Sequence, residues 1–198
     1  MTKGQNVCEQ VEAINLFDLE RKAREMLPQT EYDYYASGAN DEITLRENRA
    51  AYERIALLPH MLVDVSKRQM GTTVLGEPIS MPVLIAPTAF QGLAHPEAEI
   101  ATVKAAGAAK TLMTLSTLST FSIEEVMAVA TGPLWFQLYL FKDRAISTSL
   151  VKRAEVAGCK AIVFTVDVPL LGRRERDVRN QFKLPDDQSS AGRTASVS

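Results

Sequence analysis

Apolar residues early in the chain recur at helical intervals. Leu16, Leu19, Ala23, Met26 and Leu27 fall on one face of a helix that Asn15 can cap, and Pro28 follows its last turn as a stop. A second helix is expected over about 41–54. Between the two lie Tyr32, Tyr34 and Tyr35, close to Gly38. Short extended pieces follow at 62–65 and 72–75, with Gly76 as a turn.

Beyond Pro82 the pattern becomes periodic. Val83, Leu84, Ile85 and Ala86 form a wholly apolar first strand ended by Pro87. Pro96 opens an alanine-rich helix to about Ala109, and 112–115 is the next strand. Ser122 and Glu125 make a capping box for the helix after it. A third strand covers 134–138. Asp143 caps a helix with Ile146, Leu150, Ala154 and Ala157 on one face, Gly158 closes it, and 161–165 is a fourth strand. Apolar strands alternating with amphipathic helices predict a parallel sheet of βα units. The expected fold class is α/β: a (β/α)8 TIM barrel, which needs about 250 residues, truncated after about four βα units and preceded by an N-terminal helical segment. The barrel portion is expected over 14–185, between a polar leader at 1–13 and a tail at 186–198 whose composition, without periodicity, reads as disordered.

Composition narrows the function classes. With 198 residues, 46% hydrophobic and 23% charged, the chain can bury one sizeable core. A net charge of −2 offers no basic excess for a phosphate backbone, so nucleic acid is not an expected partner. Cys8 and Cys159 are the only cysteines and signal neither a disulfide framework nor a metal site. No apolar run approaches the roughly 18 residues of a membrane span, and the first residues lack a signal-peptide core. The end, Ser196-Val197-Ser198, is no peroxisomal address. A cytoplasmic protein without membrane contact is the expectation.

In βα barrels reactive residues gather past the C-terminal ends of strands. Here those ends carry Pro87, Thr88 and Ala89, then Ser116, then Gln137 and Tyr139, then Thr165 and Asp167, followed by Arg173 and Arg174. Ser, Thr and Gln side chains can line the pyrimidine edge of a flavin, and a guanidinium such as that of Arg174 can grip a carboxylate in bidentate fashion. The same residues have ordinary uses: strand-end hydroxyls satisfy backbone groups, tyrosines pack, and Arg173, Arg174 and Arg176 with Glu175 and Asp177 also read as a solvated charge run.

Several ordered motifs decide between these readings. Tyr32-Asp33-Tyr34-Tyr35-Ala36-Ser37-Gly38-Ala39, Asn48-Arg49, Ala86-Pro87-Thr88-Ala89, Ala94-His95-Pro96-Glu97, Leu115-Ser116, Phe136-Gln137-Leu138-Tyr139, Lys142-Asp143-Arg144, Thr165-Val166-Asp167 and Leu171-Gly172-Arg173-Arg174-Glu175 occur in sequence. Together they resemble the FMN-dependent 2-hydroxy-acid oxidase family, which includes glycolate oxidase, lactate oxidase and flavin-linked lactate dehydrogenases. The resemblance runs from about residue 14 to Pro185. It implies FMN as cofactor, with Pro87, Thr88 and Ala89 against the ring and Ser116, Gln137 and Thr165 at its pyrimidine end. It also implies substrate contacts from Tyr34, Tyr139 and Arg174. Tyr35 becomes a flavin neighbour, and Asp167 receives no role.

The implied chemistry is oxidation of a small (S)-2-hydroxy acid of lactate or glycolate type, electrons passing to O2 as hydrogen peroxide. The family's histidine base, flavin lysine, second substrate arginine and phosphate loops belong to the later half of its barrel. Neither histidine of this chain, His60 or His95, is a candidate base. No catalytic residue is therefore assigned. A catalytically inactive half-barrel acting as a binding protein is the alternative, and its open edges imply a homo-oligomer or aggregation. Glycolate oxidases carry tryptophan where this chain has Leu118, and the smaller side chain favours lactate or a longer hydroxy acid, whereas Thr88 resembles the glycolate oxidases, so both substrate types stay open.

Overall fold

A computed structural model describes residues 12–167 and 170–185. Most of the expected leader, with Cys8, and the expected tail at 186–198 lie outside the described residues.

Helix α1 (Leu16–Met26) starts at the expected cap: the Asn15 side chain accepts the Phe17 and Asp18 N–H groups, and Asp18 reaches back to the Asn15 N–H. Pro28 does more than stop it. With ψ of 145° it serves as N-cap of α2 (Gln29–Ala36), and its carbonyl accepts the Tyr32 N–H, so the tyrosine segment is helical. Helix α3 (Ile43–Glu53) follows, entered through Glu42 in the left-handed region.

The segment expected to be extended at 62–65 pairs with no strand; Leu62 instead turns through a φ of 62°. Strands β1 (Thr72–Val74) and β2 (Glu77–Ile79) form an antiparallel hairpin. Leu75 and Gly76, with φ of 47° and 84°, are its two-residue turn.

The main layer is α4 (Ala98–Ala108), β3 (Met113–Leu115), α5 (Ile123–Val129), β4 (Leu134–Leu138), α6 (Arg144–Ala157) and β5 (Ala161–Phe164). The strands are parallel in the order β3-β4-β5. Met113, Leu115, Leu134, Phe136 and Leu138 share one face by register, and they pack on Val103, Val126, Leu150 and Ala154 of the helices. Both expected caps are present, Ser122 with Glu125 on α5 and Asp143 on α6, and Gly158 ends α6 at a φ of 97°.

The expected first strand at 83–86 is a correction. Only Ile85 joins the sheet, through a single parallel bridge in which its N–H donates to the Leu112 carbonyl and its carbonyl accepts the Thr114 N–H. Pro82 and Pro87 flank the segment and supply no N–H donors, so pairing does not extend. The described residues thus contain three parallel strands and one bridge rather than four full βα units, and no closed barrel. At the other edge Ile162 and Phe164 align with Phe136 and Leu138, yet they are 40% and 51% exposed, with no helix among the described residues covering them.

Helix α7 (Glu175–Arg179) lies in what also read as a solvated charge run. Arg176 pairs with Glu42 at 2.7 Å and Asp33 at 3.5 Å, and Asn180 Nδ2 donates to Asp33 at 2.7 Å. These contacts dock α7 on the N-terminal helices.

Candidate active site

Period-two alternation turns Ser116, Gln137 and Thr165 to the sheet face opposite the core. Gln137 is buried, and its Nε2 donates to Thr165 Oγ1 at 2.8 Å. Its Oε1 accepts the Thr117 N–H at 3.0 Å, while the Thr117 hydroxyl donates to the Gln137 main-chain carbonyl. Ser116 Oγ accepts the Leu118 N–H at 3.1 Å. These bonds leave Gln137 one amide N–H and one oxygen lone pair, and leave the Ser116 and Thr165 hydroxyl hydrogens free of them. The strand ends therefore present a row of donors and acceptors suited to a heterocycle with alternating C=O and N–H groups.

A second cluster joins α2 to α7. Arg174 caps α7 and donates to the Tyr34 carbonyl oxygen and, at 3.2 Å, to Ser37 Oγ. Its Nε lies 2.7 Å from Asp177 Oδ2 as an ion pair whose N–H is not aimed for a hydrogen bond. Tyr34 stacks on Phe182 at 4.9 Å and meets Tyr35 edge-on at 5.2 Å. Burial raises the Tyr34 phenol above its usual value; Arg174 opposes this, whereas Asp177 and Tyr139 add to it. Arg174 and Tyr139 are thus each within electrostatic reach of Tyr34. Tyr139 is anchored to the first cluster, since its N–H donates to Thr117 Oγ1 at 3.1 Å.

Pro87, Thr88 and Ala89 leave the sheet just after the Ile85 bridge. Pro87 and Thr88 are exposed. Thr88 lines a cavity of about 590 Å³ together with Tyr35, Gln91 and His95. His95 Nδ1 accepts the Glu97 N–H at 3.1 Å, a turn-forming use in keeping with its structural reading. A larger depression of about 920 Å³ between α5 and α6 holds none of the candidate residues. Cys159 is half-buried, and burial pushes its thiol up to about 11, away from nucleophilic use.

Two residues, Thr117 and Glu99, went unread in the sequence, and Asp177 was read only as part of a solvated charge run. Thr117 holds Gln137 through two bonds. Asp177 faces Arg174. Glu99 is fully buried under the loops at the strand ends. An acid in the first turn of an alanine-rich helix reads as a solvated partner of the helix dipole, and no local signal marks its burial.

Comparison with known proteins identifies the family. The FMN-dependent dehydrogenase family matches residues 23–196. Glycolate oxidase 3 of Arabidopsis thaliana is 55% identical over 88% of this chain and 48% of its own length. An L-lactate oxidase of Nostoc sp. is 57% identical over 87% of this chain and 48% of its own length. A mandelate oxidase structure with (S)-mandelic acid superposes with a TM-score of 0.88 at 45% identity, covering 91% of this chain and 54% of that one. The chain spans about half the length of the relatives it matches. The family match covers most of the chain, and the chain belongs to the FMN-dependent dehydrogenase family.

Proposed function

We propose that this chain carries the flavin-edge and first substrate contacts of an enzyme that oxidises an (S)-2-hydroxy acid to the 2-oxo acid, with electrons passing to O2 as hydrogen peroxide. FMN, when bound, would serve as the two-electron acceptor, taking those electrons up as one hydride equivalent. Gln137, Thr165 and Ser116 would hold its pyrimidine end with the capacity left by their mutual bonds, and the backbone of Pro87, Thr88 and Ala89 would face its reactive edge. Arg174 would bind the substrate carboxylate, with the Tyr34 and Tyr139 hydroxyls as directional partners.

The observation that carries this reading is the direct Gln137–Thr165 bond at 2.8 Å, on a strand whose end leads into Tyr139 and the Arg174–Tyr34 cluster. Leu118 gives the reading its substrate preference. Its short aliphatic side chain leaves more room than an indole for a methyl or longer group, so lactate is favoured over glycolate. The uncovered face of β5 further supports self-association of the isolated chain.

Fusing this chain to the remaining half of the Nostoc L-lactate oxidase tests the reading. The yellow fusion is expected to produce more peroxide from (S)-lactate than from glycolate, and Leu118→Trp to reverse the order. A folded, flavin-loaded fusion that makes no peroxide from either acid would sink it.

A further inference from the structure

Two polar side chains outside the assigned set grip the two ends of one peptide group. The Tyr35 hydroxyl donates to the Phe90 carbonyl oxygen at 2.6 Å. The N–H of the same peptide, that of Gln91, donates to Glu99 Oε1 at 3.3 Å. Glu99 Oε1 also accepts the Thr120 N–H at 3.0 Å, and Oε2 accepts the Phe121 N–H at 3.3 Å. Among the described residues Glu99 forms no ion pair. A buried carboxylate that accepts from three backbone donors joins what those donors belong to, here the loop after Ile85 and the loop after β3.

The residue between these grips needs them. Phe90 has a φ of 53°, a left-handed conformation that a side chain of this size seldom adopts unless its surroundings impose it. Its N–H donates to the Leu118 carbonyl at 2.8 Å, and the Gly92 N–H donates to Thr120 Oγ1 at 2.9 Å. Phe90 directly follows Ala89. If Phe90 left this conformation, rotation about its N–Cα bond would redirect the chain that enters it, and with it the backbone of Thr88 and Ala89.

We propose that Glu99 and Tyr35 are positioning residues for FMN: by fixing both ends of the Phe90–Gln91 peptide, they set how the backbone of residues 87–89 faces the flavin. The inference rests on the reading of 87–89 as flavin contacts. A carboxylate suits the task because three N–H groups converge on it, and an amide in its place turns a donor toward one of them.

The test is a titration of the isotopically labelled 198-residue chain with millimolar FMN, following amide resonances. In the wild-type chain, Thr88 and Ala89 should shift along with Gln137 and Thr165. In Glu99→Gln and in Tyr35→Phe, the shifts at Thr88 and Ala89 should fall several-fold while those at Gln137 and Thr165 persist. Tyr35→Phe removes one hydroxyl and keeps the ring, so it answers even where the Glu99 variant does not fold. Equal loss at all four amides would mean a general structural role and overturn the proposal. Unchanged shifts in both variants, against an intact wild-type response, would overturn it alone. No wild-type response at Thr88 and Ala89 would overturn the reading of 87–89, and the proposal with it.

Discussion

The guanidinium of Arg174 lies 4.9 Å from the centre of the Tyr34 ring while also donating to the Tyr34 carbonyl. Residues 140 apart in the chain are thereby locked in one cluster. A cation over an aromatic face contributes about 0.5–2 kcal/mol, and hydrogen bonds from a charged donor about 1.5–3 kcal/mol. Arg174→Met should therefore lower the unfolding free energy by about 1–3 kcal/mol in urea titration. In the flavin-loaded fusion it should also raise the KM for lactate at least tenfold. A variant with unchanged midpoint and unchanged KM would contradict both roles.

Gln137 is expected to be the most sensitive polar position of the sheet. Replacing it with leucine keeps approximate volume but leaves the buried Thr117 N–H without its acceptor and Thr165 without its donor. An orphaned buried donor costs about 1–3 kcal/mol, so Gln137→Leu should destabilise by about 2–3 kcal/mol in the same titration. Gln137→Glu keeps the acceptor for Thr117, and the free Thr165 hydroxyl can donate to its second oxygen, so its effect should be smaller than that of leucine.

What was legible in the sequence was mostly local. Asn15, Ser122 with Glu125, Asp143 and Gly158 announce helix ends because capping is settled within four residues. The strands at β3, β4 and β5 were legible as short apolar runs between helices. The same signal misled at 83–86, since apolar content reports burial and not the number of paired N–H groups. Helix α2 was hidden because Pro28 ends one helix and opens the next. Spacing alone predicted polar strand mouths. The pairing of Tyr34 with Arg174 was not legible from spacing, because nothing local links α2 to α7.

Ala98 enters α4 with a φ of 39° while 4% exposed. For a residue with a Cβ this conformation is strained, and glycine adopts it freely. Ala98→Gly should stabilise the chain by about 1 kcal/mol, a net gain because the strain relieved exceeds the greater freedom glycine has when unfolded. A lower melting temperature for Ala98→Gly would show that the strain is absent.

The docking of α7 on the N-terminal helices should be acid-sensitive. Burial works to raise the Asp33 carboxyl, but hydrogen bonds from Gln29, Asn180 and Arg176 outweigh it and hold the group below 3.8. For Glu42, the Gly38 N–H and Arg176 hold the carboxyl below 4.5. A carboxylate depressed by folding stabilises the fold above its unfolded value and loses that contribution as pH falls through the lower folded value. The contribution should thus be complete above about pH 5 and decline progressively below about pH 4. Amide exchange of α7 measured between pH 6 and pH 3, corrected for intrinsic rates, should show this helix opening before β4. An α7 as protected at pH 3 as at pH 6 would contradict the linkage.

The uncovered edge at β5 makes the last prediction. Ile162 and Phe164 continue the apolar face of β4, and the strand's outer backbone groups pair with no neighbouring strand among the described residues. An exposed apolar edge recruits another strand, and charge placed on it is the usual protection. The isolated chain should therefore sediment as dimers or larger species at micromolar concentration. Phe164→Lys should shift it toward monomer, because pairing would bury an ammonium without a partner. Val156→Lys is the control: Val156 is 89% exposed on α6, away from the edge, and should leave the distribution as it was. A wild-type chain that stays monomeric under these conditions would mean that the edge is covered by the chain itself.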